Sequence, residues 1–300
     1  MEPWVWITFG AALAQTLRFT LQKHLSTGRL SAAGATFARF VYAAPLAALI
    51  ALGYGQFSAQ PIPVIPSTFW AYALMGGISQ ILATICVVLL FQHRNFAVGI
   101  TFKKTEVILS VLMGLLILGE GVSWLGFGAI LLGLVGVLLL SDPPGGQGRW
   151  LRRISNRAAG LGLASGVFFG ISGVGYRGAS LALESGDAFL RAVVTLAFVT
   201  ALQTLLLGAW LVWRESGQVR AVFAAWRVAG LVGLTSLVGS ICWFTAFTLQ
   251  TVGYVNAVGQ VELIFSLAVG ALVFREKITA RELAGIGILT ASIVALVLVA

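Results

Sequence analysis

Residues 103–120 read KKTEVILSVLMGLLILGE and residues 259–276 read GQVELIFSLAVGALVFRE, so one apolar pattern recurs around Glu106 and Glu262. The two glutamates lie 156 positions apart (262 − 106). The same ungapped register pairs Trp70 with Trp226, Gly77 with Gly233, Cys86 with Cys242, Phe91 with Phe247, Ser110 with Ser266, Gly114 with Gly270 and Glu120 with Glu276. Residues 70–120 and 226–276 share twelve identities, where chance gives about five for this composition. The chain is therefore predicted to contain two copies of one unit.

The composition is typical of a membrane protein. Hydrophobic residues make up 59% of the 300 residues, charged residues make up 10%, and the mean hydropathy is +0.97. A soluble domain carries about 25% charged residues, and a helix needs about 20 apolar residues to cross a bilayer. Ten such spans are predicted, at residues 4–24, 33–53, 68–92, 96–118, 122–141, 158–180, 188–213, 228–249, 253–274 and 280–299. The predicted fold class is all-α integral membrane, with ten transmembrane helices and no room for a soluble catalytic domain.

The basic residues are distributed unevenly between the connections. Fourteen of the nineteen lie in or beside alternate connections: Arg18, Lys23, Arg29, Arg94, Arg149, Arg152, Arg153, Arg157, Arg214, Arg220, Arg227, Arg275, Lys277 and Arg281. The opposite connections contain only Arg177. Because short loops rich in lysine and arginine stay in the cytoplasm, both termini are predicted on the non-cytoplasmic side of the cytoplasmic (inner) membrane. Topology accounts for the net charge of +9, and no nucleic-acid partner is predicted.

The connections also indicate that the second copy is inverted. The connection after span 2, residues 53–67, has no charge, whereas its counterpart after span 7 carries Arg214, Arg220 and Arg227. Inverted repeats place a substrate site near the bilayer midplane, at the interface between the repeats. The chain is divided into a first five-helix repeat, a basic connecting loop and a second five-helix repeat, at residues 1–141, 142–157 and 158–300.

Further motifs recur in both halves. Phe37-Ala38-Arg39 and Phe189-Leu190-Arg191 lie in the second helices, and LGEGVS at 118–123 and FREKIT at 274–279 follow the glutamate-bearing fourth helices. In this order the chain resembles the EamA-type transporters of the drug/metabolite transporter superfamily over essentially its whole length. The resemblance implies a secondary carrier that moves small metabolites, often outward and often amino-acid-like, through a central cavity. Family members commonly keep both termini in the cytoplasm, and here the charge pattern predicts the reverse.

The fourth span carries three charged side chains. Lys103 and Glu106 are three residues apart on one helix face, so they are predicted to neutralise each other. Lys104 points away from that face and is predicted to have no local partner. Buried charges in a membrane span are expensive and are usually functional, so all three residues are candidates for substrate binding or coupling.

Glu262 has a different local environment. The repeat register places Gly259 and Gln260 opposite the two lysines, so Glu262 is predicted to lack a local cation. It is expected to take up a proton, to bind a substrate amine, or to pair with Arg191 and merely hold helices 7 and 9 together. Asn256 and Gln260 are four residues apart and are predicted to line a polar pocket beside it. Glu262 is therefore expected to matter more to transport than its repeat mate.

Two arginines lie inside spans 2 and 7. Arg39 and Arg191 are each about two helical turns from a span end. A guanidinium binds carboxylates and phosphates in a bidentate fork, so each arginine can hold an acidic substrate group or a glutamate. Snorkelling to the headgroup region is the alternative. For Arg39, an internal network with the charges of span 4 is favoured.

The candidate site is completed by polar and aromatic residues near the middle of other spans. The predicted substrate-binding or coupling residues are Gln15, Arg39, Gln80, Lys103, Lys104, Glu106, Arg191, Trp243, Asn256, Gln260 and Glu262. Glu120 and Glu276 end the fourth helices and are predicted to be structural. Ser123 and Thr279 are predicted N-caps, the latter in a capping box with Glu282.

Small residues form two rows with four-residue spacing. One row comprises Gly162, Gly166 and Gly170 in span 6, and the other comprises Gly287, Ala291 and Ala295 in span 10. Such rows let helices approach closely. Packing within the bundle is the favoured interpretation for both, and dimerisation through span 10 is the alternative.

No catalytic constellation is found, and the chain is not predicted to be an enzyme. His24 and His93 lie at span ends without a second ligand, both cysteines lie within spans, and no phosphate-binding glycine loop is present. No metal, cofactor or ATP coupling is predicted. The expected partners are a small-molecule substrate, membrane lipid and the proton as a candidate coupling ion, and the chain is expected to be a monomer or homodimer.

The charges within the spans indicate the substrate class. Four basic and two acidic groups favour a small amino-acid-like zwitterion or organic anion over a lipophilic cation. The alternative function is a flippase or accessory subunit for a lipid-linked headgroup, and a channel is a weaker third.

Overall fold

The computed structural model describes residues 2–26, 30–91, 102–141, 157–273 and 279–300, and the regular structure in these ranges is helical. The helices of the first half are α1 (Pro3–Ser26), α2 (Ala32–Val41), α3 (Ala43–Phe57), α4 (Ser67–Phe91), α5 (Glu106–Leu118) and α6 (Trp124–Ser141). Those of the second half are α7 (Arg157–Leu181), α8 (Ala188–Arg214), α9 (Gln218–Ala224), α10 (Trp226–Leu249), α11 (Val252–Gly259), α12 (Glu262–Val273) and α13 (Ala280–Val299). Predictions that concern His93, Glu276 or the basic connections at Arg29, Arg94, 142–156 and 275–277 lie outside the described residues.

Many of these helices have the length and composition of membrane spans. Within the described ranges, six helical segments are long and apolar enough to cross a membrane: Ala32–Phe57, Ser67–Phe91, Arg157–Leu181, Ala188–Arg214, Trp226–Leu249 and Ala280–Val299. Shorter apolar helices cover Glu106–Leu118, Trp124–Leu140 and Val252–Phe265. Large apolar side chains such as Leu49, Leu116 and Trp213 are exposed on the outside of the bundle, as lipid contact requires. The exact count of ten spans stays a prediction.

The fourth and ninth predicted spans are interrupted at equivalent positions. The helix is broken at Lys104 and Thr105, immediately before α5, and again at 260–261, between α11 and α12. The positions correspond in the repeat register (104 + 156 = 260). The prediction of continuous helices at 96–118 and 253–274 is therefore wrong at these points. Each break places Glu106 or Glu262 in the first turn of a new helix, where the helix dipole stabilises a carboxylate.

Corresponding helices of the two halves pack in symmetric combinations. Helix α4 packs on α7, and its counterpart α10 packs on α1, the counterpart of α7. In the same way, α5 packs on α7, and its counterpart α12 packs on α1 together with α11. Helix α6 packs on its own counterpart, α13. In that pair, Ser292 Oγ donates to Ala129 O at 2.7 Å, and the backbone of Gly136 faces Gly285 and Leu289 further along. The contacts that lie at higher residue numbers in α6 lie at lower residue numbers in α13, so the two counterparts are antiparallel.

The row of glycines in α7 packs against the break that precedes α5. A β-carbon added at Gly166 would lie 3.1 Å from Lys103 O, and one at Gly170 would lie 3.2 Å from Ser110 N. These positions therefore fit the predicted role in close packing, because a larger residue would push the two backbones apart.

The small-residue face of α13 that packs in the bundle differs from the predicted one. Gly287 and Ala291 are exposed, whereas Gly285, Leu289 and Ser292 are buried against α6. The assignment of the predicted row to packing within the bundle is therefore wrong. Helix α13 has small residues on two faces, and spacing alone does not indicate which face meets a neighbour.

The contact between α4 and α7 gives a test of this packing. A β-carbon at Gly175 would lie 2.7 Å from both Cα and N of Gly76, which are backbone atoms that cannot rotate away. Gly175→Ala is expected to lower the free energy of unfolding by about 1–3 kcal/mol, measured as an earlier thermal loss of monodisperse protein in detergent. Gly160→Ala on the same helix is the control, because a β-carbon there meets no described atom within 4 Å. Equal melting of the two variants would contradict the packing.

Candidate functional site

A cavity lies between the two halves, and its wall combines charged, polar and aromatic side chains. Nine of the eleven predicted site residues line it: Gln15, Arg39, Gln80, Lys103, Glu106, Trp243, Asn256, Gln260 and Glu262. Lys104 does not line the cavity but forms an ion pair with Glu262, which does. Arg191 lies outside the site. The cavity thus brings together side chains from both repeats.

Several lining residues were missed by the sequence reasoning. They are Phe169, Ser172, Tyr176, Ser240, Phe247 and Gly259. The first three recur on one face of α7, and Ser240 and Phe247 lie on one face of α10 with Phe244, a mid-span candidate for cavity lining, at the three- and four-residue spacing of a helix. That spacing, with a serine among aromatic residues on each face, is the signal that could have identified them.

The predicted pair in the fourth span is present. Lys103 Nζ lies 3.0 Å from Glu106 Oε1, and both side chains are buried. The same ammonium lies 5.1 Å from the centre of the Phe169 ring, close enough for a cation–π contact. This lysine is therefore held by a carboxylate and an aromatic face while it borders the cavity.

Lys104 forms the ion pair that was not predicted. Its ammonium donates to Glu262 Oε1, and Gln15 Nε2 donates to Glu262 Oε2 at 2.7 Å. Neither residue has a charged partner within its own helix, as predicted, but the predicted sources of a counter-charge for Glu262 (Arg191, a proton or a substrate amine) did not include Lys104. Lys104 points away from Glu106, and on that side it meets Glu262 of the second half. The pair joins the two repeats.

Arg191 is not part of the site. It is the fourth residue of α8, about one turn from the start of the helix and not the predicted two. It lies beside Asp187 and Arg177, and its Nε has no hydrogen-bond partner among the described residues. The predicted pairing of Arg191 with Glu262 is wrong, because Arg191 lies at the end of its helix and Glu262 borders the central cavity.

Arg39 lies inside the bundle, as predicted, and does not snorkel. Only 4% of its surface is exposed. Its Nε donates to Ser236 Oγ at 2.8 Å and one terminal nitrogen donates to Thr84 Oγ1 at 3.1 Å. These partners are neutral hydroxyls and not the lysines and glutamate of span 4 that were predicted. A guanidinium that borders a cavity with hydroxyl partners is available to a carboxylate.

A second buried guanidinium was grouped from the sequence with the residues in or beside a basic connection, and it belongs instead to the bundle interior. Arg18 is 3% exposed, donates to Gln22 Oε1 at 2.6 Å and lies 4.1 Å over the Phe19 ring. Helix α1 continues to Ser26, so Arg18 lies about two turns inside it. Among the described residues, the buried charges are therefore four cations, Arg18, Arg39, Lys103 and Lys104, against the two glutamates, a surplus of two positive charges (4 − 2).

Polar side chains extend the site along α11. Asn256 Nδ2 donates to Ser110 Oγ at 2.6 Å, and Gln260 Nε2 donates to Asn256 O at 3.1 Å. Both side chains line the cavity near Glu262, as predicted. Because Ser110 belongs to α5, this hydrogen bond provides a second connection between the helices that follow the two breaks.

At one end of the bundle, polar contacts join several helices. Arg177 Nε donates to Glu120 Oε2 at 2.6 Å, and its terminal nitrogen donates to Phe247 O at 2.7 Å and Gln250 O at 2.9 Å. The ends of α5, α7 and α10 are therefore tied together, in line with a structural role for Glu120. The two predicted N-caps are also present, at Ser123 and in the Thr279 capping box.

The chain belongs to the EamA-like transporter family, whose family model matches residues 2–142 and 156–298. It is therefore a multi-pass membrane transporter of the drug/metabolite superfamily, a family of transporters rather than enzymes. A crystal structure described only as that of a protein is 14% identical and has a TM-score of 0.71, covering 98% of this chain and 96% of that chain. At this identity the likeness shows the fold alone. A search of curated proteins gives no match.

Proposed function

We propose that the protein is a secondary carrier that exports small amino-acid-like zwitterions or organic anions across the cytoplasmic membrane. The observation that carries this proposal is the surplus of positive charge in the buried cluster, with Arg39 at the cavity wall bound to hydroxyl groups. Burying a charge without an opposite charge is costly, so an anionic substrate group stabilises the occupied site.

The two glutamates supply negative charge to the site, beside the cations. Glu106 and Glu262 both line the cavity, where a substrate ammonium would meet a carboxylate as the substrate carboxylate meets Arg39. A zwitterion satisfies both kinds of group at once. An organic anion satisfies only Arg39, and a lipophilic cation is repelled by the net positive cluster. Amino-acid-like zwitterions and small organic anions are therefore both favoured over a lipophilic cation.

The repeat architecture supports alternating access. We infer ten transmembrane helices in two inverted repeats, because the counterparts α6 and α13 are antiparallel and the helix breaks occur at equivalent positions. Broken helices at a repeat interface are a recurrent site for substrates in secondary transporters. The contacts around Arg177 hold one end of the bundle together, so we propose that they separate when the cavity opens to that side.

The orientation in the membrane is tested by reporter fusions. Both termini are expected outside the cytoplasm, because lysine- and arginine-rich connections remain inside. A reporter that fluoresces only in the cytoplasm is expected to be dark when fused after Ala300. A fusion truncated after Gly217, in a basic connection, is the control and is expected to be bright. A bright fusion at Ala300 would refute the proposed orientation.

Flux into proteoliposomes tests the proposed function. Purified protein is expected to give saturable, counter-flow-competent uptake of labelled amino acids or small organic anions. Non-saturable flux would indicate a channel. If no soluble solute moves, and deletion of the gene instead removes a charged lipid modification from the cell envelope, the lipid-flippase alternative is correct.

A further inference from the structure

A second cavity lies behind the ion pair of Lys104 and Glu262. It is bounded by α5, α6, α11 and α13, and most of its wall is aliphatic. Lys104 lines this second cavity and not the central one, whereas Glu262 lines the central cavity and not the second. The ion pair is therefore part of the partition between the two cavities, with its cation on one side and its anion on the other.

Gln260 borders both cavities and has an unused acceptor. Its side chain is 4% exposed, its Nε2 donates to Asn256 O, and its Oε1 accepts no hydrogen bond from a described residue. The ammonium of Lys104 has three N–H donors, and the described contacts use one of them, to Glu262. Buried donors and a buried acceptor beside one cavity are commonly bridged by a bound water molecule. The second cavity therefore has the polar partners that such a water needs.

The charged groups that act on Lys104 lie on the side of the central cavity. Glu262 accepts its hydrogen bond, and Lys103 and Glu106 interact with it electrostatically. On the other side, the described residues of α6, α11 and α13 that line the second cavity include no titratable group, and Ser292 supplies a hydroxyl. The charge of Lys104 is therefore balanced from the central cavity, and a ligand that binds there changes that balance.

A substrate ammonium that binds Glu262 competes with Lys104. Lys104 donates to Glu262 Oε1, and Gln15 Nε2 donates to Glu262 Oε2 at 2.7 Å. An ammonium that arrives from the central cavity places a second cation against this carboxylate, in a cluster whose described cations already outnumber its carboxylates. Buried like charges at close range are costly. A lysine can lose its proton and remain as a neutral amine, which an arginine cannot do.

We propose that Lys104 carries the coupling proton: when a substrate ammonium binds Glu262, Lys104 releases one proton to water in the second cavity. The inference rests on the proposed function and adds its coupling ion. One N–H bond of Lys104 breaks, the electron pair stays on the nitrogen, and a water molecule accepts the proton. The positive charge beside Glu262 is unchanged, because the substrate ammonium replaces the one that is lost. The site holds either the proton or the substrate, so the two are exchanged one for one across the membrane.

Accumulation in proteoliposomes at a membrane potential clamped to zero tests the exchange. With the interior one pH unit more acidic than the outside, a labelled amino acid is expected to accumulate inside about tenfold, the ratio for one proton per substrate. The corresponding 2-hydroxy acid keeps the carboxylate and the side chain but has no ammonium, so it is expected to reach equal concentrations. Amino-acid counter-flow without accumulation, or equal accumulation of both compounds, would overturn the exchange and leave the carrier in place. Absence of any amino-acid or anion flux would overturn the carrier itself.

Lys104→Arg tests the assignment to this residue. A guanidinium keeps a cation beside Glu262 but holds its proton, so the accumulation ratio is expected to fall from about ten to about one. Lys23→Arg makes the same substitution at an exposed position of α1 and is the matched control, with the ratio of the wild type. A folded Lys104→Arg protein that still accumulates the amino acid would show that another group carries the proton. If this variant does not fold, the comparison of the amino acid with the hydroxy acid in the wild type decides.

Discussion

Removal of either Lys104 or Glu262 alone is expected to destabilise the protein severely, whereas removal of both is expected to restore a folded but inactive protein. The side chains are 1% and 12% exposed and form a salt bridge between the two repeats. Breaking a buried pair by one substitution costs about 3–5 kcal/mol, because the remaining charge loses its partner. Replacing both partners with apolar residues of similar size is often neutral or stabilising.

The experiment uses Lys104→Met, Glu262→Leu and the double variant. Each single variant is expected to lose monodisperse protein at a much lower temperature, and the double variant is expected to melt near the wild type. Transport by the double variant should nevertheless be at background, because Glu262 lines the cavity and supplies a carboxylate there. If the double variant is as unstable as the singles, the pair is not the source of the instability. If it transports normally, Glu262 has no role in transport.

The pair formed by Lys103 and Glu106 provides the matched control. It lies within one repeat, three residues apart, so its removal leaves the connection between the repeats intact. Lys103→Met with Glu106→Leu is expected to change stability little. The expectation that Glu262 matters more to transport than Glu106 therefore stays a prediction, but for a different reason. Both glutamates form an ion pair with a lysine, and only the lysine that pairs with Glu262 comes from the other repeat.

The repeat and the broad architecture could be predicted from the sequence, because no single residue decides them. Hydrophobic segments, duplicated identities around the two glutamates and paired motifs are properties of long stretches, and the family match covers the same two halves. The site could be predicted in part for a related reason. Polar groups in apolar spans are rare enough that most of those selected line the cavity.

The local geometry could not be predicted, because it depends on which distant segments pack together. Helical spacing directs Lys104 away from Glu106, as observed, but does not show that Glu262 of the other repeat lies on that side. Arg18 shows a second limit: it was grouped with the residues in or beside a basic connection, although it lies within predicted span 4–24, because the sequence does not show that its side chain faces the bundle. Tertiary contacts between distant segments decide both cases.

Arg39 is expected to be the residue that recognises the substrate carboxylate, and Arg39→Lys is expected to weaken that recognition at least about 100-fold. The guanidinium lines the cavity and is held by Ser236 and Thr84. A lysine keeps the charge but cannot form two parallel hydrogen bonds to a carboxylate. Hydrogen bonds to charged groups contribute about 1.5–3 kcal/mol each, so loss of the bidentate contact accounts for a change of this size. The measurement is the concentration of an amino acid that half-saturates counter-flow.

An amino-acid amide distinguishes recognition from a general defect, because it keeps the ammonium and the side chain but has no carboxylate. Wild type and Arg39→Lys are expected to bind the amide equally weakly, so the difference between them should appear only with the carboxylate present. Ser236→Ala removes one neutral partner of Arg39 and is expected to change the half-saturating concentration about tenfold or less. If Arg39→Lys weakens the amide and the amino acid by the same factor, Arg39 only supports the structure of the cavity, and the carboxylate must be bound by Lys103 instead.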